Sequence, residues 1–413
     1  MNFLYNTGIR LYAAAASIAS LRSRKVATML AGHKRALDEI AAKISPDDRP
    51  VWIHVASLGE FEQGRPLIER LKKERPELKI VLSFFSPSGY EVRKNYNKVD
   101  CVVYLPFDTP ENARRVVDAI NPSAVIFVKY EFWGNYLKTL AAKKIPTYII
   151  SAIFRPGQAF FKPYGGMMRG ILGCFSRLYV QDEPSRQLLH GIGIDNVTVA
   201  GDTRFDRVSD IMAQRIDIPG LDTFGADIIF GSSWKQDEQH YIPWLNDNPE
   251  IRFIIAPHEF DDIRIKELTE AVSGKVVTFS QWEKDTAAGK DMSGVRGIIV
   301  DCFGKLSSLY RYGRIAYVGG GFGVGIHNIN EAAVYGIPVV FGPEFEKFKE
   351  ARDLVADGGA VSCRNGEEVR AALGRFISDS AACEKAGKIA GKYIRDNIGA
   401  TEIIYNDIFG GKR

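Results

Sequence analysis

From Val51 onward, short runs of β-branched and other apolar residues alternate with longer amphipathic stretches, and this alternation restricts the possible folds more than any other feature. It is the pattern of βα units, in which helices connect parallel strands and cover both faces of the sheet. In the first half the predicted strands are residues 51–55, 79–85, 101–105, 124–128, 147–150, 177–180 and 197–200. In the second half they are residues 227–230, 252–256, 275–278, 297–300, 315–318 and 338–341. The sequence thus predicts an α/β protein with two successive doubly wound, Rossmann-like parallel sheets.

The stretch 206–223 separates the two series of strands, because it is charged and contains Pro219 and Gly220. A chain of 413 residues is long enough for two such domains. We therefore expect a first domain at 36–206, a second at 207–385, and C-terminal helices at 386–413 that pack across both. Ligands of open parallel sheets bind beyond the carboxyl ends of the strands. The predicted site is the cleft across which the two domains face each other.

The N-terminal segment 1–35 combines an apolar helix with a basic flank. Residues 1–21 are mostly apolar, with Arg10 in the middle, and Arg22, Arg24 and Lys25 follow at once. This pattern is typical of a helix on or in a membrane whose basic flank faces anionic headgroups. The alternative is a buried N-terminal helix of a soluble domain, since the run is shorter than the roughly 20 apolar residues that span a bilayer.

The overall composition excludes several classes of protein. Apolar residues make up 46% of the chain and charged residues 25%, which is typical of packed globular domains and not of disordered or collagen-like chains. The 54 basic and 50 acidic residues nearly balance and give no indication of nucleic-acid binding. The five cysteines are scattered, without a C-x-x-C pair or zinc-ligand spacing. We therefore expect a reducing compartment and no metal site. No cofactor is expected either, since no motif of the sequence indicates one.

Polar turns follow three predicted strands of the first half. Glu60 lies at the opening of a helix after strand 51–55, and the positive end of that helix favours an ionised carboxylate that could act as a general base. The alternative role for Glu60 is helix capping, since acidic residues are common in first helical turns. The other candidate residues, which we assign to an acceptor site, are Ser57, Gly59, Ser86, Ser88, Lys129 and Glu131. An ion pair between Lys129 and Glu131 that covers an aromatic cap over the core is an equally good interpretation of the third turn.

A glycine-rich loop begins with Gly319, Gly320 and Gly321, directly after a predicted strand. Glycines let a phosphate approach backbone N–H groups, and a helix predicted to begin near His327 would direct its dipole at the same place. The loop has neither the G-x-G-x-x-G nor the P-loop spacing. Glu331, one turn into the predicted helix, could accept hydrogen bonds from ribose hydroxyls, or it could simply be a solvated helix residue.

Two other strand ends of the second half add polar groups that face the predicted cleft. Ser232 and Ser233 follow one strand, and Pro257 and His258 follow the next. His258 could bind a phosphate or a base, although isolated histidines are more often structural. The chain contains no D-x-D motif, so a metal that bridges a nucleotide diphosphate through that motif is not expected.

Several motifs, in their order and spacing, make the chain resemble the 3-deoxy-D-manno-octulosonic acid (Kdo) transferases of lipopolysaccharide biosynthesis. In the first half the motifs are WIHVASLGE (52–60), SPSG (86–89), YLPFD (104–108) and YEFWGN (130–135). In the second half they are GDTRFD (201–206), PH (257–258), GGGFGVGIHNINE (319–331) and FGP (341–343). The resemblance extends over nearly the whole chain.

The resemblance implies a GT-B glycosyltransferase fold, CMP-Kdo as the donor, and lipid IVA, the lipid A precursor, as the acceptor. It further implies an inverting reaction without a catalytic metal ion, at the cytoplasmic face of the inner membrane of a Gram-negative bacterium. By the same resemblance, the general base is the Glu of the S-x-G-E turn, here Glu60. The implied donor-site residues lie in the second half: Ser232, Ser233, Pro257, His258, Gly319, Gly320, Gly321, His327, Asn328 and Glu331. The CMP phosphate would lie near the three glycines, and the ribose near Asn328 and Glu331.

The chain also departs from the family pattern. Many members have E-x-E-x-W-P-N where this chain has Lys129 in place of the first Glu, so no role of that Glu can be transferred. The glycine loop is one residue shorter and lacks an Arg before His327, and the Arg of the family's P-R-H-P motif is absent beside Pro257. Lys235, Lys347 and Lys349 are weak candidates for neutralising the phosphate. The alternatives are another GT-B enzyme with a different nucleotide sugar, and a membrane-tethered nucleotide-binding protein without catalysis.

Overall fold

The computed structural model describes residues 2–213 and 217–410. Met1, residues 214–216 and residues 411–413 lie outside the described residues, so the predicted boundary 206–223 and the predicted tail 386–413 are covered only in part. The chain forms two compact units. Unit 1 contains the chain up to Arg207 and again from Ile398, and unit 2 extends from Val208 to Asn397.

Unit 1 contains a parallel sheet of seven strands in the order β3-β2-β1-β4-β5-β6-β7. The strands are β1 (Val51–Val55), β2 (Ile80–Phe84), β3 (Cys101–Tyr104), β4 (Ala124–Val128), β5 (Thr147–Ala152), β6 (Arg177–Val180) and β7 (Val197–Val199). Every strand predicted for the first half is confirmed. Because β1 pairs with both β2 and β4, the strand order reverses beside β1.

Unit 2 contains a second parallel sheet of seven strands, in the order β10-β11-β9-β8-β12-β13-β14. The strands are β8 (Ala226–Ser233), β9 (Phe253–Pro257), β10 (Val276–Thr278), β11 (Gly297–Ile299), β12 (Gly313–Val318), β13 (Val339–Phe341) and β14 (Ala360–Ser362). The sequence pattern does not predict β14, because a run of three residues is too short to show a period. The order of this sheet reverses beside β8, which pairs with both β9 and β12.

Helices connect the strands in both units. Up to residue 213 they are α1 (Asn2–Ala19), α2 (Arg24–Lys43), α3 (Leu58–Glu74), α4 (Pro87–Arg93), α5 (Pro110–Ile120), α6 (Gly134–Ala142), α7 (Gly166–Leu172), α8 (Glu183–His190) and α9 (Arg204–Ala213). From residue 221 they are α10 (Leu221–Phe224), α11 (Lys235–Asp247), α12 (Asp262–Ala271), α13 (Phe279–Ala287), α14 (Leu306–Leu309), α15 (Asn330–Ala333), α16 (Lys349–Asp357), α17 (Gly366–Ser378), α18 (Ser380–Asp396) and α19 (Ala400–Phe409). Short 3₁₀ helices occur at Pro46–Asp48, Ala159–Phe161 and Tyr310–Tyr312.

The strands are buried on both faces, which explains why they appear in the sequence as continuous apolar runs. In β1, Val51, Ile53 and Val55 enter the core on one face of the sheet, and Trp52 enters the core on the other. Successive side chains of a strand point to opposite faces, so a fully buried strand has no polar side.

The last two helices belong to different units. Helix α18 lies in unit 2, whereas α19 lies in unit 1. Within unit 1, Asp206 accepts hydrogen bonds from the backbone N–H groups of Gly399 at 2.6 Å and Thr401 at 2.7 Å. These bonds fix the start of α19.

Helix α1 is attached to unit 1 through one face. The Tyr5 hydroxyl donates to Asp108 Oδ2 at 2.5 Å and accepts from the Gly134 N–H at 3.2 Å. Another face of the helix carries Leu4, Leu11 and Ile18, which are 85%, 66% and 70% exposed. Across residues 2–213 and 217–410, no helix combines the length and the hydropathy needed to cross a bilayer.

Candidate active site

Glu60 lies where the strand order of the first sheet reverses. Strand β1 ends at Val55, Ser57 precedes α3, and Glu60 is in the first turn of that helix. The Ser57 hydroxyl makes no capping bond to the helix backbone, but donates a hydrogen bond of 2.6 Å to Glu60 Oε2. The half-buried Glu60 is thus held as a hydrogen-bond acceptor at the position where open sheets bind ligands.

Gly59 leaves space beside this carboxylate. A Cβ atom at Gly59 would meet only Ser57 Oγ, at 3.8 Å. Gly59 is exposed, so the first turn of α3 is open on this side.

The Ser86–Ser88 turn lies beside the Ser57–Glu60 turn. Ser86 N–H donates to the carbonyl oxygen of Ala56 at 2.7 Å, which connects the two turns directly. The Ser86 hydroxyl accepts from Ser88 N–H at 3.3 Å and lies 2.9 Å from the Ser88 hydroxyl, so it caps α4. The structure therefore brings the predicted residues of these two turns together at one edge of the sheet.

Glu131 belongs to a buried network. Its Oε2 atom accepts from Trp133 Nε1 at 2.5 Å and lies 3.1 Å from His54 Nε2. His54 Nδ1 is 2.8 Å from the Ser83 hydroxyl, which accepts from Trp52 Nε1 at 2.8 Å. Because each of these polar groups has a partner, the network fixes the carboxylate of Glu131 after β4.

Lys129 directly follows β4 and has a φ of +66°, a conformation that non-glycine residues rarely adopt. Its ammonium group lies 5.4 Å from the centre of the Tyr130 ring. Burial raises the pKa of Tyr130, on which the charges of Arg155, Arg204 and Glu60 also act. Arg155 is a charged residue near Tyr130 that was not predicted from the sequence as part of the site.

A turn after β7 adds a second ionic group. Asp202 is 4% exposed and accepts from Arg204 Nε at 2.9 Å, from Arg204 Nη2 at 2.8 Å and from Gln63 Nε2 at 3.0 Å. Burial favours the protonated form of Asp202, but the charge of Arg204 and the hydrogen bonds from Arg204 and Gln63 together hold the pKa of Asp202 below its usual value. Gln63 is one turn after Glu60 on α3, so the ion pair is anchored to the same helix. The GDTRFD motif contains both residues of this ion pair, but the sequence alone does not assign the pair a role.

In unit 2 the strand order reverses between β8 and β12. The prediction that Ser232, Ser233 and Pro257 follow their strands is wrong, because β8 extends to Ser233 and β9 to Pro257; the other predicted donor residues follow β9 or β12. Ser232 has a φ of +50° and lies at a register shift between β8 and β9. The Ser233 hydroxyl donates to Glu238 Oε1 at 3.1 Å and lies 2.7 Å from the Tyr241 hydroxyl. Since Ser233 is 2% exposed, its hydroxyl supports the core of the unit.

The glycine loop is folded tightly against its neighbours. Gly320 has a φ of +93°, and a Cβ atom at Gly321 would lie 2.6 Å from Gly342 N. The N–H of Gly319 donates to the Gly231 carbonyl oxygen at 2.9 Å, and the N–H of Gly320 donates to Asp237 Oδ2 at 2.8 Å. Within the described residues, only the Gly321 N–H among these three has no hydrogen-bond partner. The glycines therefore serve close backbone packing, and one of the three expected phosphate donors remains available.

The predicted helix start near His327 is wrong. Helix α15 begins at Asn330 and has four residues, whereas His327 N–H donates to the Gly319 carbonyl oxygen at 3.2 Å as part of the loop. Asn328 Oδ1 accepts from Asn330 N–H at 3.2 Å, and this side-chain bond ends the loop. A helix of one turn has too few aligned peptide dipoles to contribute the expected field.

Three aromatic rings stack beside this loop. Trp234 and His258 are 4.5 Å apart at an angle of 19°, and the centres of His258 and His327 are 4.3 Å apart. Trp234 Nε1 donates to His327 Nε2 at 2.9 Å. Burial, together with the neighbouring His258, lowers the pKa of His327 to about 4. His327 is therefore neutral at pH 7, and Pro257, the last residue of β9, places His258 beside it.

Glu331 is oriented by two side chains. Its Oε2 accepts from the Ser307 hydroxyl at 2.5 Å, and its Oε1 accepts from Asn328 Nδ2 at 3.1 Å. It is half-buried in the first turn of α15. The structure thus brings Asn328 and Glu331 together, as the expectation of a shared ribose site requires, and adds Ser307.

Throughout residues 2–213 and 217–410, no group of three or more His, Cys, Asp and Glu side chains is placed to hold a metal ion.

Comparisons with known proteins find one family of similar proteins. Residues 23–207 match the family model described as 3-Deoxy-D-manno-octulosonic-acid transferase (kdotransferase). The 3-deoxy-D-manno-octulosonic acid transferase of Aquifex aeolicus is 27% identical over 356 residues, which cover 83% of this chain and 91% of that protein. The transferase of the same name from Haemophilus influenzae is 23% identical over 382 residues, which cover 86% of each chain.

Solved structures with a similar fold include UDP-GlcNAc 2-epimerase from Neisseria meningitidis bound to UDP-GlcNAc and MurG from Acinetobacter baumannii. The first has a TM-score of 0.59 at 16% identity and covers 88% of this chain and 100% of its own. The second has a TM-score of 0.54 at 12% identity and covers 87% of this chain and 99% of its own. At such identities the likeness shows the fold alone, which is GT-B. The family model and the relatives show that this chain carries the Kdo transferase family domain at residues 23–207 and is similar over most of its length to curated Kdo transferases, which are glycosyltransferases.

Proposed function

We propose that this protein transfers Kdo from CMP-Kdo to lipid IVA by an inverting reaction that needs no catalytic metal ion. The observation that carries the proposal is the bond from the Ser57 hydroxyl to Glu60 Oε2, at 2.6 Å, beside the strand reversal of unit 1. A half-buried carboxylate held in a fixed orientation at the carboxyl end of a sheet is suited to removing a proton from a sugar hydroxyl.

The reaction then has a simple balance of atoms. Glu60 takes the proton of the acceptor hydroxyl as the oxygen of that hydroxyl bonds to the anomeric carbon of Kdo. The bond between this carbon and the phosphate oxygen of CMP breaks, and CMP leaves with the electron pair. Attack from the face opposite CMP inverts the anomeric configuration.

Residues of unit 2 provide the donor site in this proposal. Negative charge develops on the phosphate of CMP as it leaves, and preorganised N–H donors stabilise such charge. The Gly321 N–H is one donor. His258 and His327 lie beside the same loop. Glu331, held by Ser307 and Asn328, is suited to accept hydrogen bonds from ribose hydroxyls.

Helix α1 supports association with the cytoplasmic face of the inner membrane of a Gram-negative bacterium. Its exposed side chains Leu4, Leu11 and Ile18 are seven residues apart and therefore lie on one face of the helix. Arg22, Arg24 and Lys25 follow the helix and are exposed. An apolar face with an adjacent basic segment binds anionic lipid surfaces, where the acceptor lipid would reside.

A transfer assay with the purified full chain tests this function. The protein is incubated with lipid IVA and with CMP-Kdo generated in place, and the lipid is followed by mass spectrometry. A mass increase by whole Kdo units is the expected result. Parallel reactions with UDP-sugars test the alternative of another GT-B enzyme, and CMP binding without any transfer would indicate a nucleotide-binding protein without catalysis.

A further inference from the structure

The indole of Trp234 determines which imidazole nitrogen of His327 carries a hydrogen. Trp234 lies between the end of β8 and the start of α11, and its Nε1 is 2.9 Å from His327 Nε2. An indole nitrogen can only donate, so Nε2 of His327 must be the acceptor. A neutral imidazole has a single N–H, which must then be at Nδ1.

Trp234 is held in this place by Asp237. The Oδ2 atom of Asp237 accepts from Trp234 N–H at 3.1 Å and from Gly320 N–H at 2.8 Å. Its Oδ1 atom accepts from the Tyr317 hydroxyl at 3.0 Å, and Asp237 is fully buried. The indole and the glycine loop are therefore connected to the same carboxylate.

The glycine loop also contacts His327 directly. His327 N–H donates to the Gly319 carbonyl oxygen at 3.2 Å, and a Cβ atom at Gly320 would lie 3.1 Å from His327 Cδ2. These hydrogen bonds, together with the backbone between the bonded groups, form a closed network through Asp237, Trp234, His327 and the two glycines. The network leaves the imidazole little freedom to rotate or to exchange the positions of its two nitrogens.

We propose that Trp234 is a positioning residue that holds His327 as the Nδ1–H tautomer, so that His327 presents one N–H donor to the leaving phosphate of the nucleotide sugar. The role of that donor depends on the proposed function, whereas the tautomer does not. His327 is half-buried, and within the described residues its Nδ1 has no hydrogen-bond partner, so the N–H is not consumed inside the protein. A pKa of about 4 keeps the ring neutral at pH 7.

Nitrogen NMR of the full chain labelled with ¹⁵N-histidine measures the tautomer directly. The chain has six histidines, and the signals of His327 are identified by their loss in His327→Gln. In the wild type we expect Nδ1 to be protonated and Nε2 to be unprotonated at pH 7. In Trp234→Phe the ring stack remains but the donor is lost, so the Nε2–H form becomes populated.

Kinetic and CMP-binding measurements on the same variants test whether the Nδ1–H donor of His327 contributes to transfer. Trp234→Phe should lower kcat by about tenfold while the Kd for CMP changes by less than about threefold, because the donor acts on charge that develops in the transition state. The matched control is Trp282→Phe, which removes an indole donor to the Pro219 carbonyl oxygen at 3.1 Å elsewhere in unit 2 and should change neither reading.

Two results would overturn the proposal. Wild-type His327 with its hydrogen at Nε2 would contradict the tautomer, and this reading does not depend on whether the variant folds. A Trp234→Phe variant that changes tautomer but keeps its kcat would contradict the role in transfer. Absence of Kdo transfer by the wild type would instead refute the proposed function, and the NMR measurement would still decide the tautomer.

Discussion

Ser57 directs its hydroxyl at Glu60 and not at the helix backbone: the Oγ–Oε2 distance is 2.6 Å, and the serine makes no side-chain capping bond. The residue thus orients the carboxylate instead of stabilising α3. Ser57→Ala should lower kcat by about tenfold, because the carboxylate loses the hydrogen bond that orients it and small misplacements of a reacting group slow the reaction. Thermal unfolding should change little. The control is Ser378→Ala, which removes a hydroxyl bonded to its own helix at the Gly374 carbonyl oxygen. Equal effects of the two variants on kcat would contradict this role of Ser57.

Gly321 and Gly323 differ sharply in the space around them, which allows a matched test of the glycine loop. A Cβ atom at Gly321 would lie 2.6 Å from Gly342 N, whereas at Gly323 the nearest atom is Gln236 Cδ at 4.0 Å. Gly321→Ala should destabilise unit 2 by about 1–3 kcal/mol and weaken CMP binding, because two backbone segments must separate. Gly323→Ala should resemble the wild type. Calorimetric unfolding and CMP titration measure both effects, and equal tolerance of the two changes would refute the tight packing of this loop.

The half-buried His33, whose two ring nitrogens are shielded from solvent, should make unit 1 sensitive to acid. Burial lowers the pKa of His33 to about 4, and its ring packs against Phe85, Tyr104 and Phe107. Unfolding restores a pKa near 6.5. The unfolded chain therefore binds more protons between about pH 6.5 and pH 4, and the stability of unit 1 falls as the pH falls through this range.

His33→Phe removes this proton uptake, so it should raise Tm more at pH 5 than at pH 8. Thermal unfolding followed by circular dichroism at both pH values measures the difference. His190→Phe, which changes an exposed histidine of the same unit, is the control. A Tm difference independent of pH would show that His33 does not titrate on unfolding.

The exposed face of α1 should determine binding to lipid surfaces. Leu11→Ser combined with Ile18→Ser should reduce binding to phosphatidylglycerol vesicles several-fold without loss of stability, because both side chains are at least 66% exposed. The control is Ile403→Ser, which alters a 43% exposed apolar residue on α19 of the same unit. Co-sedimentation measures the bound fraction, and unchanged binding of the double variant would exclude this face.

The sequence predicts the strands well because their burial is uniform. Strand β1 has the predicted ends, since all five of its residues are buried and polar turns follow it. Strand β14 escapes prediction because three residues carry no pattern. The helix start at Asn330 could not be placed from sequence, because it depends on the bond between His327 N–H and a glycine carbonyl in the folded loop.

In the candidate site, too, contacts between residues close in sequence can be predicted, whereas contacts between distant residues cannot. Glu60 and Ser57 are three residues apart, so local sequence brings them together. By contrast, the Trp234–His327 bond joins residues 93 positions apart, and the Gln63–Asp202 bond joins residues 139 positions apart. Such partners become visible only when the strand order brings distant turns to one edge of a sheet.

The role of Glu60 as general base is tested by comparing Glu60→Gln with Glu74→Gln, which removes a carboxylate that pairs with Arg70 at the far end of the same helix. Kdo transfer to lipid IVA is measured by mass spectrometry, and CMP binding by titration calorimetry. We predict that Glu60→Gln lowers transfer by about 10²–10⁴-fold with CMP affinity unchanged, as for the loss of a general base, and that Glu74→Gln behaves as the wild type. Transfer retained by Glu60→Gln, or lost only together with CMP binding, would contradict the assignment of Glu60 as the base.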